Sequence, residues 1–521
     1  MRLNELISGL PGVTGTTGPG PSEVRVSDLT ADSRTAVPGS LFFAHDGSHE
    51  RGSAFCLDAA ARGAVALLIP EHAEDPLTSG SAESGAVCVV RCRDTRLAEA
   101  LIAERFFGSP GSTLRLVGVT GTNGKTTVAH LVHQLVNAGG TRCGLIGTVL
   151  IDDGQETAPA EMTTPPASEL SRTLAVMREH GCGAASMEVS SHALDQRRAD
   201  GLRFAAAVFT NLTGEHLDYH GTMEAYAEAK SRLFSLIEPG HGGVEPGVAV
   251  INADDAHAEM MLDAIPEHSR VIRCTASPTG EFRDAEVTVL ASDANGLRLR
   301  LTGPFGALET SVPLIGAHNA MNTLQACCAA HACGVPAEVL AARLPTLAPP
   351  PGRMERVPGP VGGPIVLVDY AHTDDALERA IPAARTALRD PDARLWIVFG
   401  AGGDRDRSKR PRMGEVASRL AQRVVVTSDN PRSEPVHAII DEILAGVSDD
   451  GRHRVEVQSD RAQAIRHAIA SAAAGDVVLI AGKGHETTQI LPDGKGGTRT
   501  IAHDDHAVAL ESLRSFAGAG S

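Results

Sequence analysis

The sequence predicts an α/β protein of about three domains, with parallel sheets at the cores of the second and third. The chain has 521 residues, and a single hydrophobic core stops growing near about 250–300 residues. Apolar strand-like runs alternate with helical stretches in the middle of the chain and again in its last third. This alternation is typical of a doubly wound parallel sheet.

The composition argues against several classes of protein. The formal net charge is −17 and basic runs are lacking, which argues against a nucleic-acid-binding surface. No apolar run reaches membrane-spanning length, and the first residues include Glu5, so we expect no membrane segment, no signal peptide and a cytoplasmic location. The nine cysteines are scattered without a C-x-x-C pair, which favours buried, reduced thiols over a zinc site or disulfides.

The first predicted domain, residues 1–110, contains short strands and turns that lead to a helix-and-strand unit at residues 54–69. A boundary follows at residues 107–112, where Gly, Ser and Pro interrupt the pattern. The second predicted domain, residues 111–350, ends at a run of prolines before Arg353 that cannot continue a helix. Its predicted strands cover residues 114–120, 184–189, 205–210 and 248–252.

The strand at residues 114–120 leads into a glycine-rich loop and then into a helix predicted over residues 128–136. Glycines let backbone N–H groups approach phosphate oxygens, and the helix directs the positive end of its dipole at them. Lys125 would neutralise phosphate charge, and Thr126 offers a hydroxyl to Mg²⁺. Val119 stands where the general phosphate-loop pattern has its first glycine, but the loop still predicts a nucleotide-phosphate site. The loop and the start of the helix comprise Gly121, Thr122, Asn123, Gly124, Lys125, Thr126 and Thr127.

Three further side chains of the second domain could contribute to this site. Glu188 ends an apolar strand, so it is either a paired structural acid or a Mg²⁺ ligand beside the phosphate loop. His216 follows the next strand, and a single histidine is more often structural than a ligand. Lys230 lies in the helical pattern A-Y-A-E-A-K, which by spacing alone predicts a solvated lysine.

The third predicted domain, residues 351–521, repeats the alternation, and each of its predicted strands ends in a polar loop. Ligands of open parallel sheets bind beyond the carboxyl ends of the strands, so these loops should gather on one rim. Arg432 offers a planar fork for a carboxylate, although the preceding D-N-P is also a common turn sequence. Glu486 could pair with an amine or be a surface charge. The predicted strands cover residues 365–370, 395–400, 423–428 and 476–482.

Eight motifs, in order along nearly the whole chain, together resemble one family, the Mur ligases of peptidoglycan synthesis. A single motif would be weak evidence, but eight in the family's order are highly specific. A ninth stretch, D-N-P-R, resembles the members that add 2,6-diaminopimelate rather than L-lysine. The eight are G-T-N-G-K-T-T, M-E-V-S-S-H-A-L, N-L-T-G-E-H-L-D-Y-H-G, G-A-H-N-A-M-N, P-G-R-M-E-R-V, D-Y-A-H-T, G-G-D-R-D-R-S-K-R-P and G-K-G-H-E.

The resemblance implies a monomer with an N-terminal UDP-binding domain, a central P-loop ATPase domain and a C-terminal Rossmann-like domain that receives the amino acid. It implies an ATP- and Mg²⁺-dependent ligase that acts on a UDP-muramoyl-dipeptide through an acyl phosphate. It also replaces the solvated interpretation of Lys230, which matches the lysine that the family carbamylates with CO₂. The implied catalytic residues are Lys125, Glu188, His216 and Lys230, and the implied metal ligands are Thr126, Glu188, His216 and carbamylated Lys230.

The resemblance also implies positions for the three substrates. ATP would contact the phosphate loop together with Asn319, Arg353 and Asp369. The UDP-muramoyl-dipeptide would contact Ser33, Ser48, His49, Glu50, Thr163, Thr164, Ser190, Gln196 and Arg198. Diaminopimelate would contact Arg405, Asp429, Asn430, Pro431, Arg432, Gly482 and Glu486.

Three positions depart from the family pattern. Glu215 stands where Asp is usual, Asp374 replaces a usual Pro, and Arg51 replaces a usual acid before a glycine. They leave open an alternative, a Mur-type ligase diverted to another amine acceptor or nucleotide substrate. A nucleotide-binding regulatory protein without catalysis is a further alternative, but it would not require the four implied catalytic residues together.

Overall fold

The computed structural model describes residues 1–47, 50–77, 87–238, 246–267, 269–277, 284–388 and 390–518. The chain forms two compact units. The first contains Met1–Cys274 and Gln325–Pro336, and the second contains Thr275–Leu324 and Ala337–Ser521.

The N-terminal part of the first unit is a five-stranded sheet in the order β1-β5-β4-β3-β2, parallel except for β1. Its central strand β4 is buried along its whole length, as its apolar sequence predicts. The Asp94 carboxylate accepts a hydrogen bond from Leu97 N at 3.0 Å and caps α3. The elements are α1 (Leu3–Ile7), β1 (Val13–Thr17), β2 (Asp28–Thr30), β3 (Ser40–Phe43), α2 (Cys56–Ala61), β4 (Ala66–Pro70), β5 (Cys88–Cys92) and α3 (Thr95–Phe106).

Two buried acids of α3 connect this part to the segment that follows it. Glu99 accepts a hydrogen bond from Ser168 N at 3.2 Å, and Glu104 accepts from Gly111 N at 3.0 Å and Ser171 Oγ at 2.8 Å. Buried acids are stable only when such donors satisfy them. The contacts therefore fix the N-terminal sheet against the central part of the same unit.

The central part of the first unit is a mainly parallel sheet, in which β13-β12-β11-β6-β10-β7 are parallel and β8 and β9 continue the edge antiparallel. The four strands predicted here are confirmed to within one residue at each end. Glu188 on β10 is in register with Val119 on β6, so β10 ends beside the phosphate loop. The elements are β6 (Arg115–Thr120), α4 (Lys125–Ala138), β7 (Cys143–Ile146), β8 (Leu150–Asp152), β9 (Thr157–Pro159), α5 (Ala167–Glu179), β10 (Ala184–Glu188), α6 (Ser191–Asp195), β11 (Ala206–Phe209), α7 (Leu217–His220), α8 (Met223–Ser235), β12 (Val248–Asn252), α9 (Ala258–Asp263) and β13 (Arg270–Thr275).

The second unit begins with an antiparallel meander, β14 to β16, which the strand–helix alternation does not predict. Its middle strand places leucines on the buried side and arginines on the exposed side, a period of two that suits a sheet with one solvated face. Helix α10 follows, with its residues from Gln325 onward assigned to the first unit, and α11 lies in the second. The elements are β14 (Ala285–Asp293), β15 (Gly296–Gly303), β16 (Gly306–Val312), α10 (His318–Ala332) and α11 (Ala337–Arg343).

The remainder of the second unit is a six-stranded sheet in the order β17-β18-β22-β19-β20-β21, parallel except for β17. The four strands predicted from sequence are confirmed to within two residues at each end, and their polar loops follow the carboxyl ends. The elements are β17 (Glu355–Val357), β18 (Ile365–Asp369), α12 (Asp374–Arg385), β19 (Leu395–Phe399), α13 (Lys409–Leu420), β20 (Arg423–Val426), α14 (Val436–Leu444), β21 (Val455–Val457), α15 (Arg461–Ser471), β22 (Val477–Ala481), the hairpin of β23 (Thr488–Pro492) and β24 (Thr498–Ala502), and α16 (Asp505–Gly518).

Two expectations from composition can be compared with the fold. All nine cysteine side chains are buried, as predicted. Within the described part of the chain, no helix combines the length and the apolar character needed to span a bilayer. Ala, Val, Leu and Ile are the most numerous side chains of the core.

Candidate active site

The loop between β6 and α4 has the geometry of an anion-binding cradle. Gly121 and Gly124 have φ angles of 144° and 86°, a region that favours glycine. A Cβ on Gly121 would lie 1.9 Å from Thr210 Oγ1, so no side chain fits there. Helix α4 begins at Lys125 without a side-chain cap, which leaves its N-terminal dipole available to an anion.

Two lysines donate to one carbonyl of this loop. Lys125 Nζ donates to Gly121 O at 2.9 Å and to Thr122 O at 2.8 Å, while Lys230 Nζ donates to Gly121 O at 2.8 Å. Both amines therefore lie where the phosphates of a nucleotide would be bound.

Lys230 is 1% exposed, so the prediction of a solvated lysine from spacing alone is wrong. It lies on the face of α8 that also buries Tyr226 and Leu233, and its Nζ is 4.4 Å from the centroid of the Tyr226 ring. Burial, reinforced by the positive charge of Lys125, lowers the pKa of Lys230 well below its ordinary value. Burial at the phosphate loop therefore favours the neutral, nucleophilic form of this amine more than solvent would.

Glu188 is buried at the end of β10, and both of its carboxylate oxygens accept hydrogen bonds. Its carboxylate accepts from Thr126 Oγ1 at 3.0 Å, from Thr148 N at 2.7 Å and from Thr148 Oγ1 at 3.1 Å. A Cβ on Gly147 would lie 2.6 Å from Glu188 Oε1. The two interpretations of this acid from sequence are thus compatible, because it is a paired acid that also lies next to Thr126.

The predicted substrate residues that follow form a connected network around the same strand end. Thr164 Oγ1 donates to Glu188 O at 2.9 Å and accepts from Ser190 N at 3.1 Å. Arg198 Nη1 donates to Thr164 O at 2.6 Å, and Arg198 Nη2 donates to Gln196 Oε1 at 2.7 Å. A further hydrogen bond of 3.0 Å joins the hydroxyls of Thr148 and Thr163.

His216 precedes α7 in the left-handed conformation, with φ of 58°. Partial burial, together with the charges of Lys125 and Lys230, lowers the pKa of this imidazole, so it is neutral and able to bind a metal at neutral pH. His192 packs against it edge to face, with ring centroids 4.9 Å apart, and burial lowers the pKa of His192 to about 4. His192 stands in the motif M-E-V-S-S-H-A-L, but the sequence carries no signal that separates it from a structural histidine.

The predicted substrate residues of the N-terminal part are only partly described. Ser48 and His49 lie outside the described residues. Ser33 is buried in a short 3₁₀ turn, and Glu50 O accepts from Gly47 N at 2.9 Å. The UDP-substrate assignment in this loop therefore stays a prediction.

Three predicted ATP residues lie in the second unit. Asn319 is buried at the start of α10, where its Nδ2 donates to Ile315 O at 2.8 Å. Asp369 ends β18 and accepts from Met354 N at 2.8 Å and Ala371 N at 2.9 Å. Burial raises the pKa of Asp369, and the charge of Arg353 opposes that shift. The Arg353 guanidinium lies over the Tyr370 ring, 4.8 Å from its centroid.

Two loops at the carboxyl edge of the C-terminal sheet interlock. Arg432, with φ of 54°, donates through Nη1 to Gly403 O at 2.6 Å, and Gly403 N donates to Asn430 O at 2.9 Å. A Cβ on Gly403 would lie 1.8 Å from Pro431 O. Ser433 Oγ donates to both carboxylate oxygens of Asp404, while Arg405 extends from the same loop into solvent. These hydrogen bonds therefore fix the backbone of the Gly403 loop relative to the backbone of the D-N-P-R loop.

Glu486 and the D-N-P-R loop meet at a buried lysine that the sequence analysis missed. Lys483 Nζ donates to Glu486 Oε2 at 2.7 Å and to Asn430 Oδ1 at 3.0 Å. Gly482 approaches Asp429 so closely that a Cβ would lie 2.5 Å from Asp429 Oδ2. The alternative that Glu486 is only a surface charge is therefore wrong. The signal available in the sequence was the motif G-K-G-H-E, which places a lysine directly after a strand end.

Arg410 is a second buried cation that sequence reasoning did not select. Its guanidinium donates to Glu434 at 2.8 and 2.9 Å, to Glu442 at 2.7 Å and to Gly402 O at 3.0 Å. The hydrogen bonds from Arg410 lower the pKa of Glu434 to about 2. Glu434 also accepts from Asp404 N at 2.6 Å. Arg410 is therefore linked to the interlocked loops through Glu434 and through Gly402 O.

Comparison with known families gives two matches along the chain. A family described as Mur ligase middle domain matches residues 119–330. A second, described as Mur ligase, glutamate ligase domain, matches residues 352–484. The first match contains the phosphate loop and its surrounding acid, histidine and lysine, and the second contains the interlocked loops.

Similar proteins cover nearly the whole chain. A protein of Synechococcus elongatus named UDP-N-acetylmuramoyl-L-alanyl-D-glutamate--2,6-diaminopimelate ligase is 43% identical over 493 residues, 94% of each chain. One of the same name from Geobacillus kaustophilus is 42% identical over 514 residues, 99% of each chain. A solved structure of a ligase of this name superposes with a TM-score of 0.67 at 31% identity and covers 99% of both chains.

Proposed function

The chain belongs to the Mur ligase family, and from that premise we propose that it is an ATP-dependent amide ligase of peptidoglycan precursor synthesis. It adds 2,6-diaminopimelate to the D-glutamate of UDP-N-acetylmuramoyl-L-alanyl-D-glutamate. The observation that carries the proposal is the D-N-P-R loop, with Arg432 and Glu486 at one sheet edge, in a chain that is 42–43% identical to ligases named for this reaction.

The phosphate loop supports the ATP half of the proposal. Backbone N–H groups of Gly124, Lys125 and Thr126 and the amine of Lys125 would bind the phosphates, which an uncapped helix terminus favours. Thr122 N and Asn123 N instead donate to Asn211, which holds the shape of the loop. Asn319, Arg353 and Asp369, which lie in the second unit, stay predicted ATP residues.

The donor set beside the loop fits a divalent magnesium ion. Thr126 and Glu188 supply a hydroxyl and a carboxylate whose oxygens lie 3.0 Å apart, and oxygen ligands are those that Mg²⁺ prefers. The buried amine of Lys230, whose pKa is lowered by that burial, would attack CO₂, form an N–C bond and lose a proton, which turns a cation into a carboxylate-like ligand. His216 would complete the set. When bound, Mg²⁺ supplies positive charge that neutralises phosphate oxygens.

The proposed reaction has two steps. A D-glutamyl carboxylate oxygen attacks the γ-phosphorus of ATP, the bond to the bridging oxygen breaks, and ADP leaves. Lys125 would stabilise the negative charge that develops during this transfer. The amine of diaminopimelate then attacks the acyl carbon, the C–N bond forms, the C–O bond breaks, and phosphate leaves with loss of an amine proton.

The amine-binding edge would distinguish diaminopimelate from lysine by its second carboxylate. Arg405 and Arg432 supply guanidinium forks for carboxylates, while Glu486 would accept from the distal ammonium. L-Lysine has the ammonium without the distal carboxylate, so it would leave one guanidinium unpaired.

A substrate panel tests the proposal. Purified full-length protein is given ATP, Mg²⁺ and UDP-N-acetylmuramoyl-L-alanyl-D-glutamate, and phosphate release is followed with diaminopimelate or with L-lysine. We expect diaminopimelate-dependent release with much less turnover of lysine. Equal or faster turnover of lysine would refute the amine specificity, and activity only with a different nucleotide substrate would favour the diverted ligase.

A further inference from the structure

We propose that Lys483 is a positioning residue of the amine site, which fixes Asn430 and Glu486 in the orientation that receives the incoming diamine. The inference rests on the proposed function, because it assigns a role within the same site. Lys483 follows β22, its side chain is fully buried, and its contacts are made to the two residues expected to meet the amine.

The orientation of the Asn430 amide is determined by its neighbours. Its Oδ1 accepts from Lys483 Nζ at 3.0 Å and from Ile490 N at 3.0 Å, so two donors converge on one side of the amide. An amide side chain has its acceptor and its donor on opposite sides. The Nδ2 group must therefore face Glu486, where it donates to Oε2 at 2.8 Å.

Glu486 is held by the same lysine. Lys483 Nζ and Asn430 Nδ2 both donate to its Oε2 atom, so the second oxygen, Oε1, can accept from an ammonium of the substrate. Two donors on one oxygen fix the carboxylate plane, and charge-assisted bonds of this kind are stronger than neutral ones. Lys483 therefore sets both the direction and the charge environment of the group that would bind the distal amine.

The backbone leaves Lys483 little freedom to point elsewhere. Gly482 and Gly484 on either side have φ angles of 119° and 53°, and a Cβ on Gly484 would lie 2.8 Å from Tyr370 Cβ. The side chain is thus directed inward by a strand end that is packed on both sides. Lys483 acts through its two partners and need not touch the reacting atoms.

The test is a steady-state comparison of Lys483→Met with the wild-type enzyme. We expect the KM for the amine to rise about tenfold, as for loss of a hydrogen bond to a charged group, while the KM values for ATP and the UDP-substrate stay within about twofold. A merely structural lysine would not separate these constants. An unchanged amine KM, or an equal rise in all three, would overturn the proposal.

A matched control is Asp476→Asn, at the opposite end of the same strand. Asp476 is buried and accepts from Arg394 N at 2.7 Å and Trp396 Nε1 at 3.2 Å. This variant should lower the melting temperature without a selective rise in the amine KM. A selective rise in the control would show that the readout reports stability, and it would refute the positioning role.

A double variant tests whether Lys483 acts through Glu486. In a Glu486→Gln background, Lys483→Met should change the amine KM by no more than about twofold, because coupled residues are not additive. If the increases in amine KM caused by Lys483→Met and by Glu486→Gln multiply in the double variant, the proposal is contradicted. If Lys483→Met is not recovered folded, Lys483→Arg keeps the charge and changes only the geometry, and an amine KM at the wild-type value would then overturn the role.

The wild-type panel separates this inference from the proposed function. If the wild-type enzyme turns over another amine instead of diaminopimelate, the assigned substrate is wrong, and the KM comparison is made with the amine that it does use. A selective KM effect with that amine supports the role of Lys483, and its absence refutes it.

Discussion

The phosphate loop and the proposed amine site each contain a buried lysine, and the surroundings of the two amines differ. Lys230, at the phosphate loop, contacts a backbone carbonyl and an aromatic ring, and it experiences the charges of Lys125 and, more weakly, of Glu215. Lys483, at the amine site, meets a carboxylate and an amide oxygen. Burial alone therefore does not define the chemistry of a lysine, which also depends on whether a carboxylate is in direct contact with the amine. At Lys230, desolvation and the charge of Lys125 outweigh the opposing charge of Glu215 and lower the pKa of the amine. At Lys483, a carboxylate in direct contact makes the amine a fixed counter-ion.

The largest expected effect tests the phosphate-loop lysine. Lys230→Ala should lower kcat about a thousandfold, as for loss of a group that stabilises transition-state charge. Phosphate release would be measured with saturating substrates. Bicarbonate should not restore the variant, whereas short-chain carboxylates such as acetate should restore part of the activity by supplying the missing oxygens. Undiminished turnover would remove the lysine carbamate from the mechanism.

The next prediction concerns stability and a third buried cation, Arg461, which is paired directly with an acid. Arg461 is buried and binds Asp505 at 2.6 and 2.8 Å, so Arg461→Met should lower the free energy of unfolding by about 3–5 kcal/mol. The ion pair holds the pKa of Asp505 below its ordinary value of 3.8. Its stabilisation is therefore complete above that pH and is lost as the pH falls through the folded-state pKa.

Urea titrations of wild type and Arg461→Met from neutral pH downwards would check this. The difference in unfolding free energy should be constant near neutrality and shrink below about pH 4. A difference that persists unchanged in acid would show that Arg461 acts through packing instead of charge.

The smallest effect compares the same substitution at both lysines. Lys483→Met should destabilise the fold by about 1–2 kcal/mol, because the partly exposed Glu486 loses its charged partner and keeps only the Asn430 amide. Lys230→Met should be neutral or stabilising. The pKa of Lys230 is lower in the folded state than in the unfolded state, so the unfolded chain binds more protons and wild-type stability rises with pH towards the ordinary lysine value of 10.5.

Urea titrations in bicarbonate-free buffer would separate the two substitutions. The difference between wild type and Lys230→Met should narrow as the pH rises. Equal destabilisation by both substitutions would contradict the distinction between the two amines.

Much of the fold could be predicted, because parallel strands are buried on both faces and appear as continuous apolar runs. The meander was missed since the alternating arginines of β15 give no such run. The burial of Lys230 could have been predicted from Tyr226 and Leu233, which lie four residues before it and three after it on one helix face. The positions of these two residues favour burial, but a lysine side chain is usually solvated, so the two signals in the sequence conflict.

The site was predictable in its motifs but not in its contacts. The positions of Glu188 and Asn430 at strand ends follow from sequence, whereas the pairing of Asn430 and Glu486 with Lys483 depends on distances between separate loops. The N-terminal substrate loop, with Ser48 and His49, lies outside the described residues, so its role stays a prediction.

The interlocked loops of the C-terminal sheet have a consequence for protein design. Gly403 has no room for a side chain against Pro431, and Arg432 is held by the carbonyl of that same glycine. Retargeting the enzyme to a new amine by changing one loop would strain the other. The two segments, residues 400–405 and 429–434, therefore form one transplantable cassette, and a specificity graft between ligases should exchange both together.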